Sequence, residues 1–294
     1  MTIHLPDDHD QGLQRDLEQI ARIKERRRVL GLMLSGGAAA FLGACGGDGS
    51  SSSSTLSSSS GSTSSGSSGG TSSDSCIATP TETSGPYPAD GSNTVNGMVS
   101  NILTESGVVR SDIRSSFGTS TTTAPGVPMT LTVTLVNSNN LCAALSGYAM
   151  YFWHCNRDGG YSLYSSGIQD ENYLRGVQVS DSNGQVTFTT IFPACYSGRY
   201  PHCHFEIYPS LSMATLYTNR VLTSQMAMPS DVCSTVYNGA TGYSASVSNF
   251  AAVSLATDNV FGDNTATQLA AMTPSLSGSI AAGYTGSIVI GVPA

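Results

Sequence analysis

The chain has 294 residues, of which only 11% are charged, and its formal net charge is -8. This acidic balance argues against a nucleic-acid-binding protein, because neutralising phosphates requires a basic surface. The low charge and the abundance of Gly, Ser and Thr exclude a helical bundle, whose solvated faces need Glu and Lys. The chain is not disordered throughout, since 39% of its residues are hydrophobic.

The first 44 residues are predicted to be an export signal. Six of the twelve basic residues lie before residue 29, and the uncharged stretch 29–44 follows them. That stretch is shorter than the roughly 20 residues that a membrane-spanning helix needs. A basic segment, a short apolar core and small residues at its end are typical of a signal peptide. The pair Arg26-Arg27 resembles the twin-arginine export signal.

A lipid anchor is predicted at Cys45. The run Leu42-Gly43-Ala44-Cys45 resembles a bacterial lipoprotein cleavage box, which would make Cys45 the first mature residue and the site of lipidation. The alternative is ordinary cleavage near Ala44, with Cys45 lost or left free. The first interpretation predicts an exported bacterial protein in the periplasm or on the cell surface, in contact with the membrane only through its lipid.

A flexible linker is predicted over residues 45–75, before a single domain at 76–294. Between Ser50 and Ser75, 17 of 26 residues are serine. Such a composition cannot bury a core and behaves as a flexible tether. The candidate chemistry must therefore lie in the domain that follows.

The domain is predicted to be an all-β sandwich. Short runs of alternating or buried apolar residues are separated by turn residues, which is typical of a sandwich or barrel. The turn Asp181–Gly184 predicts a hairpin, and one short helix is expected over Ala266–Met272. The strongest strand predictions cover residues 129–136, 148–153, 186–191, 202–208 and 287–292.

Two histidines on one predicted strand form a candidate metal site. Because strand side chains alternate between faces, His202 and His204 project to one side about 7 Å apart, while Cys203 points to the other. An isolated pair of this kind is also compatible with ordinary surface or core histidines. Too few histidines are present for a copper–zinc superoxide dismutase site, Glu206 is misplaced for a cupin site, and Cys203 faces away from a structural zinc site. Tyrosine is the remaining candidate ligand type. Tyr161 and Tyr196 lie near this strand in the sequence, but position alone does not distinguish them from the other tyrosines among the thirteen.

A series of short motifs in order resembles the intradiol ring-cleavage dioxygenases, the family of protocatechuate 3,4-dioxygenase and catechol 1,2-dioxygenase. The resemblance spans about residues 80–226. It comprises Ser84-Gly85-Pro86-Tyr87, Arg110-Ser111-Asp112-Ile113, Trp153-His154, Gly160-Tyr161-Ser162, Leu174-Arg175-Gly176, Pro193 with Tyr196, Gly198-Arg199, His202-Cys203-His204 and Leu222-Thr223-Ser224-Gln225. Asp258-Asn259-Val260-Phe261 is similar to secreted members of the family.

The resemblance implies a non-haem Fe(III) cofactor. Its ligands would be Tyr161, Tyr196, His202 and His204, completed by water or hydroxide. It further implies a catechol substrate whose ring is cleaved by O₂ between the two hydroxyl-bearing carbons, giving a cis,cis-muconate-type diacid. By this analogy Tyr196 leaves the metal and accepts a substrate proton.

The resemblance also implies roles for residues around the metal. Arg199 and Gln225 match the family's catalytic arginine and glutamine, which stabilise the carbanion-like form of the substrate. Arg110 and Arg175 match family positions too, but a structural ion pair with an aspartate is expected for each. His154 is expected to support the fold.

The seven cysteines suggest one lipidated residue and an even set of six. Free thiols beside ferric iron and O₂ would oxidise. Cys155, Cys195 and Cys203 are therefore expected to form disulfides, in keeping with export. The pairing among the six is not determined by the sequence.

A second function from another class remains open at this stage. The chain could be a catalytically silent, surface-tethered β-sandwich binding module on the same scaffold. The presence of all four candidate ligands argues against this alternative, and the colour of the purified protein distinguishes the two.

Overall fold

The computed structural model describes residues 77–294, so the predicted signal 1–44, the linker 45–75 and Cys45 lie outside the described residues. Within that range the chain forms eleven strands and three α-helices. The strands are β1 (Asp90–Val95), β2 (Met98–Asn101), β3 (Pro128–Asn137), β4 (Ala143–Ala144), β5 (Ala149–Trp153), β6 (Arg175–Val179), β7 (Gln185–Ile191), β8 (His202–Tyr208), β9 (Leu222–Ala227), β10 (Ser275–Ser279) and β11 (Gly283–Val292). The helices are α1 (Ser230–Gly239), α2 (Ser244–Ala251) and α3 (Ala266–Ala271).

Nine of these strands form two sheets. The larger sheet has the order β10-β11-β3, and both β7 and β4 pair with the other edge of β3. The smaller sheet has the order β6-β5-β8-β9 and is antiparallel throughout. Strands β1 and β2 form a separate two-stranded hairpin. The five strongest strand predictions are confirmed, and the sandwich architecture with them.

The main core lies between the two sheets. On β3 the residues Met129, Leu131, Val133 and Leu135 are buried, whereas the threonines between them are partly exposed. This is the burial pattern that the apolar–threonine alternation predicts. Phe188 and other apolar residues of β5, β7, β8 and β11 complete the core.

The smaller sheet is buried on both faces. All seven residues of β8 are buried. Cys203 and Phe205 pack into the main core, whereas Tyr208 belongs to a second apolar cluster on the opposite face of the sheet. Trp153 lies in that second cluster, together with residues of the segments before β3. The face of the sheet that carries the histidines is therefore covered by loops and shielded from bulk water.

The turn Asp181–Gly184 does not close a hairpin, and this expectation was wrong. The turn itself forms, because the Asp181 carboxylate accepts hydrogen bonds from the amides of Asn183 and Gln185 at 2.8 Å each. However, β6 pairs with β5 and β7 pairs with β3, so the turn carries the chain from one sheet to the other. The turn residues determine only that the chain reverses direction locally. Whether β6 and β7 pair with each other depends on the strands that the rest of the chain places beside them, here β5 and β3.

Two helices, α1 and α2, were missed by the sequence analysis, so the domain is mostly β and not all-β. In α1 the buried residues Val232, Cys233, Val236 and Tyr237 follow a helical spacing. The β-branched residues in this helix obscured the pattern. The expected short helix is confirmed as α3, whose N-terminus is capped reciprocally by Thr265 and Gln268. Within residues 77–294, no helix is long and apolar enough to cross a membrane.

Candidate metal centre

The pairing of three strands places the candidate residues in one row. Trp153 on β5 lies opposite His204 on β8, which in turn lies opposite Gln225 on β9. His202 is two residues from His204 and shares its face of the strand. The register of the smaller sheet thus brings both histidines and the glutamine to one buried surface.

Two tyrosine hydroxyls meet the two imidazoles at this surface. The Tyr161 hydroxyl lies 3.2 Å from His204 Nε2, and the Tyr196 hydroxyl lies 3.2 Å from His202 Nε2. The two Nε2 atoms are 3.1 Å apart. Four donor atoms therefore converge on one point, from the two residues of β8 and from two loops that follow other strands.

The two imidazoles are neutral and oriented. His202 Nδ1 donates to the Tyr200 carbonyl at 2.6 Å, which leaves the Nε2 lone pair directed into the cluster. The indole of Trp153 stacks on His204, with centroids 5.0 Å apart and an interplanar angle of 7°. Burial and then the Arg199 charge lower the pKa of His202 to about 3. Burial and then the neighbouring His202 hold the pKa of His204 well below its ordinary value.

Tyr161 is presented by the loop after β5. The Asn156 side chain accepts hydrogen bonds from the amides of Asp158 at 3.0 Å and Gly160 at 2.9 Å, which organises the loop. Gly159 adopts a positive φ of 90°, and a Cβ there would lie only 3.1 Å from Tyr196 Cβ. A glycine is therefore needed where the two tyrosine loops approach each other.

Tyr196 is presented by the loop after β7, and the helices hold this loop. Ser246 of α2 accepts a hydrogen bond from the Cys195 amide at 3.0 Å, and Asn249 donates to the Cys195 carbonyl at 2.9 Å. Tyr237 of α1 donates to the Pro193 carbonyl at 3.0 Å. The helices that the sequence analysis missed are thus the elements that position one of the candidate ligands.

The two tyrosines differ in accessibility. Tyr161 is only 2% exposed, whereas Tyr196 is half-buried at the edge of the cluster. Burial and the nearby Tyr196 phenol raise the pKa of Tyr161 well above its ordinary value. A bound cation would act in the opposite direction, because its charge favours the phenolate.

A buried arginine lies beside the cluster and donates to two polar side chains. Arg199 is 1% exposed, and its Nε donates to Asp258 Oδ2 at 3.0 Å. Its Nη2 donates to Gln225 Oε1 at 2.8 Å, and Gln225 Nε2 donates to the Thr83 carbonyl at 2.9 Å. All six residues for which the sequence predicted a site role therefore lie in one connected region.

The arginines at 110 and 175 do not form the expected ion pairs with aspartates. Arg175 is 1% exposed and donates to Ser162 Oγ, the carbonyls of Ser162 and Pro88, and the Tyr151 hydroxyl. Arg110 donates to the carbonyls of Ser115, Asn172 and Arg175. Neutral oxygens satisfy both guanidinium groups, because each can contact several backbone carbonyls at once.

His154 faces away from the cluster into the fold. Its Nδ1 donates to the Cys155 carbonyl at 2.7 Å, and its Nε2 accepts from the Thr190 hydroxyl at 2.6 Å. Both ring nitrogens are therefore used in hydrogen bonds to neighbouring strands and loops. Burial lowers the pKa of His154 to about 4, so the ring is neutral.

The expected disulfides at Cys155, Cys195 and Cys203 are absent, and these residues and Cys233 are free and buried. Cys195, Cys203 and Cys233 belong to the main core, where Cys203 Sγ lies beside Met228, whereas Cys155 lies in the cluster on the opposite face of the sheet. Their thiols are shielded by burial instead of by pairing. Among the described cysteines, Cys142 is the one that is disulfide-bonded.

The spacing of the four donors fits a single bound metal ion. In residues 77–294 no three His, Cys, Asp or Glu side chains come together as a metal site. A structural zinc site or a two-histidine-one-carboxylate iron site is therefore not formed there. An ion bonded to each donor at about 2.1 Å would place neighbouring donors about 3 Å apart. The observed separations of 3.1–3.2 Å agree with this arrangement.

Comparison with known proteins identifies the architecture. Residues 110–235 match a family model described as Dioxygenase. The intradiol ring-cleavage dioxygenase from Tetranychus urticae is similar over 74% of this chain and 96% of that chain, at 20% identity and a TM-score of 0.55. The described domain has the intradiol dioxygenase fold. A second dioxygenase crystal structure is 20% identical over 74% of this chain and 95% of that chain, with a TM-score of 0.53.

A bacterial dioxygenase domain is also similar to the chain. It is the dioxygenase domain of a dioxygenase–carbohydrate-binding fusion from Streptomyces sp. SirexAA-E, which is 22% identical over 74% of this chain and 99% of that chain, with a TM-score of 0.43. No curated protein matches the chain.

Two contacts of this site were not predicted from the sequence. Asp258 belongs to a motif in the sequence, but its ion pair with Arg199 was not predicted, and neither was the stacking of Trp153 on His204. The pairing of Asp258 had a usable signal in the sequence, because Asp258 stands beside the apolar Val260 and Phe261, and a charged residue that is buried in such a context requires a partner. No local pattern in the sequence indicated the stacking of Trp153 on His204.

Proposed function

We propose that this protein is a ferric-iron dioxygenase that cleaves the ring of a catechol between its two hydroxyl-bearing carbons, using O₂ and giving a muconate-type diacid. The observation that carries the proposal is the convergence of the Tyr161 and Tyr196 hydroxyls with the Nε2 atoms of His202 and His204. The intradiol fold of the domain supports the reaction class.

The four donors would hold the iron as two phenolates and two neutral imidazoles. Phenolates are hard anionic donors that stabilise the ferric state, and the neutral imidazoles leave the centre able to accept a further ligand. When bound, the ferric ion would be chelated by both oxygens of a catechol and would make the catechol ring reactive toward O₂.

The chain's own residues would bind the substrate and move its proton. Tyr196 is half-buried, whereas Tyr161 is fully buried, so Tyr196 is the ligand that can turn away and accept a catechol proton on its phenolate oxygen. Arg199 would place a fixed positive charge near the substrate, and Gln225 would orient that charge through its Oε1 atom.

The proposal is tested by the colour and the turnover of the iron-loaded protein. Tyrosinate-to-iron charge transfer should give the protein a red or burgundy colour, and Tyr196→Phe should abolish or greatly slow O₂ consumption on a panel of catechols. Tyr148→Phe serves as the matched control and should behave as the wild type, because Tyr148 directly precedes β5, at the end of the strand away from Trp153.

Two results contradict the proposal. The first is a folded wild-type protein that stays colourless after iron loading, which would favour the silent binding module on the same scaffold. The second is a Tyr196→Phe variant with wild-type turnover, because it would remove the role of that phenolate as ligand and base.

We also propose that the protein is exported from a bacterium and anchored through a lipid on Cys45. The run Leu42–Cys45 and the serine-rich linker after it support this placement. In cell fractionation, the wild type should partition with membranes and Cys45→Ser should be released. Equal partitioning of the two proteins contradicts the anchor.

A further inference from the structure

Asp258 is a buried carboxylate outside the region that matches the dioxygenase family model. Its side chain is fully buried, and it forms an ion pair with Arg199, whose side chain is 1% exposed. The family match ends at residue 235, so the aspartate is contributed by the segment that follows α2. This partner of the proposed catalytic arginine comes from the C-terminal part of the chain.

The carboxylate contacts one edge of the guanidinium group. Asp258 Oδ2 accepts from Arg199 Nε at 3.0 Å, and Oδ1 lies 3.4 Å from Nη2. The same Nη2 donates to Gln225 Oε1. Because the guanidinium group is planar, contacts at Nε and Nη2 determine both the position of its edge and the orientation of its plane.

The aspartate is itself held rigidly by the backbone. Its Oδ2 accepts from the Tyr200 amide at 2.7 Å, and its Oδ1 accepts from the amides of Val260 at 2.8 Å and Phe261 at 3.0 Å. A carboxylate with this many donors has little freedom to move. It is therefore a fixed reference against which the long arginine side chain is oriented.

The pair is also electrostatically balanced. Burial by itself would raise the pKa of Asp258, but the Arg199 charge and the hydrogen bonds outweigh burial and lower it. The carboxylate is therefore ionised beside the guanidinium group. Removing one member of such a buried pair leaves an uncompensated charge.

We propose that Asp258 is the positioning residue of Arg199, and that it fixes the guanidinium plane against Gln225 in the orientation that the catecholate requires. The catalytic part of this inference rests on the proposed function. Asp258 touches neither substrate nor metal, and its effect on the reaction is transmitted through Arg199.

The first test replaces Asp258 with asparagine in the iron-loaded full-length protein. Asp258→Asn should lower kcat/KM for catechol about 10–100-fold, the range found when residues that orient catalytic ligands are changed. Its charge-transfer band should remain, since all four donors are intact. The matched control is Asp112→Asn, because Asp112 also accepts from an arginine Nε, an arginine Nη2 and a backbone amide, but at the surface. It should leave kcat/KM unchanged.

The second test asks whether Asp258 acts through Arg199. In an Arg199→Ala background, Asp258→Asn should cause no further loss of kcat/KM. The double variant should also unfold at a higher denaturant concentration than Arg199→Ala alone, since it no longer buries an unpaired carboxylate. If Asp258→Asn alone does not fold, recovery of folded protein in the double variant supports the same coupling.

Three outcomes overturn the inference. One is wild-type kcat/KM in Asp258→Asn, and another is an equal loss of kcat/KM with and without Arg199. The third is failure of Asp258→Asn to fold in both backgrounds, which would make Asp258 a purely structural residue. A colourless, inactive wild type instead refutes the proposed function and with it the catalytic part of this inference, while the unfolding measurements still report whether the two residues are coupled.

Discussion

Arg199 and Arg175 are both buried in this domain, and their charges are accommodated in different ways. Arg199 pairs with the carboxylate of Asp258. Arg175 is surrounded instead by neutral acceptors, the Ser162 hydroxyl and carbonyl, the Pro88 carbonyl and the Tyr151 hydroxyl. It thereby ties the segment before β1 and the Tyr161 loop to the smaller sheet. A buried guanidinium group needs several acceptors, and these need not carry a charge.

Replacement of Arg175 should therefore be costly. Arg175→Met preserves much of the apolar stem but leaves the buried acceptors without their donor, so we expect the free energy of unfolding to fall by about 2–4 kcal/mol. Arg114→Met is the control, because Arg114 lies in an exposed pair with Asp112, and its loss should cost under about 1 kcal/mol. Urea denaturation followed by tryptophan fluorescence measures both. Equal, small losses would contradict the structural role of Arg175.

The secondary-structure elements divide into those that form the sandwich and those that position ligands. β8, between β5 and β9, places His202 and His204 on a buried face. The helices α1 and α2 hold the segment that leads to Tyr196, through hydrogen bonds to Pro193 and Cys195. The helices are thus part of the site's support although they supply none of its donor atoms.

Ser246 tests this supporting role of α2. It is 1% exposed and accepts the Cys195 amide, so Ser246→Ala should leave that buried donor without a partner and cost about 1–3 kcal/mol in the free energy of unfolding. Ser248 is in the same helix, but its hydroxyl is exposed. Ser248→Ala should change stability by less than about 0.5 kcal/mol. Chemical denaturation compares the two variants, and indistinguishable midpoints would exclude this anchoring contact.

At the scale of the whole molecule, the domain protects its thiols by burial. Cys155, Cys195, Cys203 and Cys233 are free, and all four are buried within or beside the sandwich. Burial raises the pKa values of Cys155 and Cys195 to about 12, and it also holds the pKa values of Cys203 and Cys233 well above their ordinary value. The thiols are therefore protonated and inaccessible at neutral pH, which suppresses their oxidation and alkylation.

Alkylation mapped by mass spectrometry tests this arrangement. In the native protein at pH 8, iodoacetamide should label none of the four free cysteines, because each thiol is buried and protonated. After denaturation without reductant, all four should be labelled. Cys142 is the internal control, since it is disulfide-bonded and should be labelled only after reduction. A requirement for reductant at any of the four would show that it is paired.

Much of the sandwich was predictable because its strands have strong local patterns. The alternation of apolar residues and threonine on β3 determines which face is buried, whatever strand lies beside it. The assignment of β6 and β7 to different sheets was not predictable from the turn between them. A turn sequence specifies the local backbone, whereas strand pairing depends on edges supplied by distant segments.

The candidate site shows the same division. Strand geometry alone places His202 and His204 on one face. The resemblance of the ordered motifs to the intradiol dioxygenases predicted that Tyr161 and Tyr196 are further ligands and that Arg199 and Gln225 act beside them. Only the tertiary structure decides that the two tyrosine hydroxyls meet those imidazoles, and that Arg199 pairs with an aspartate 59 residues away. It likewise decides that four cysteines stay free. Local periodicity encodes which side of a strand a residue faces, but the partner of a buried polar group is the one that packing of the whole chain brings within hydrogen-bonding distance.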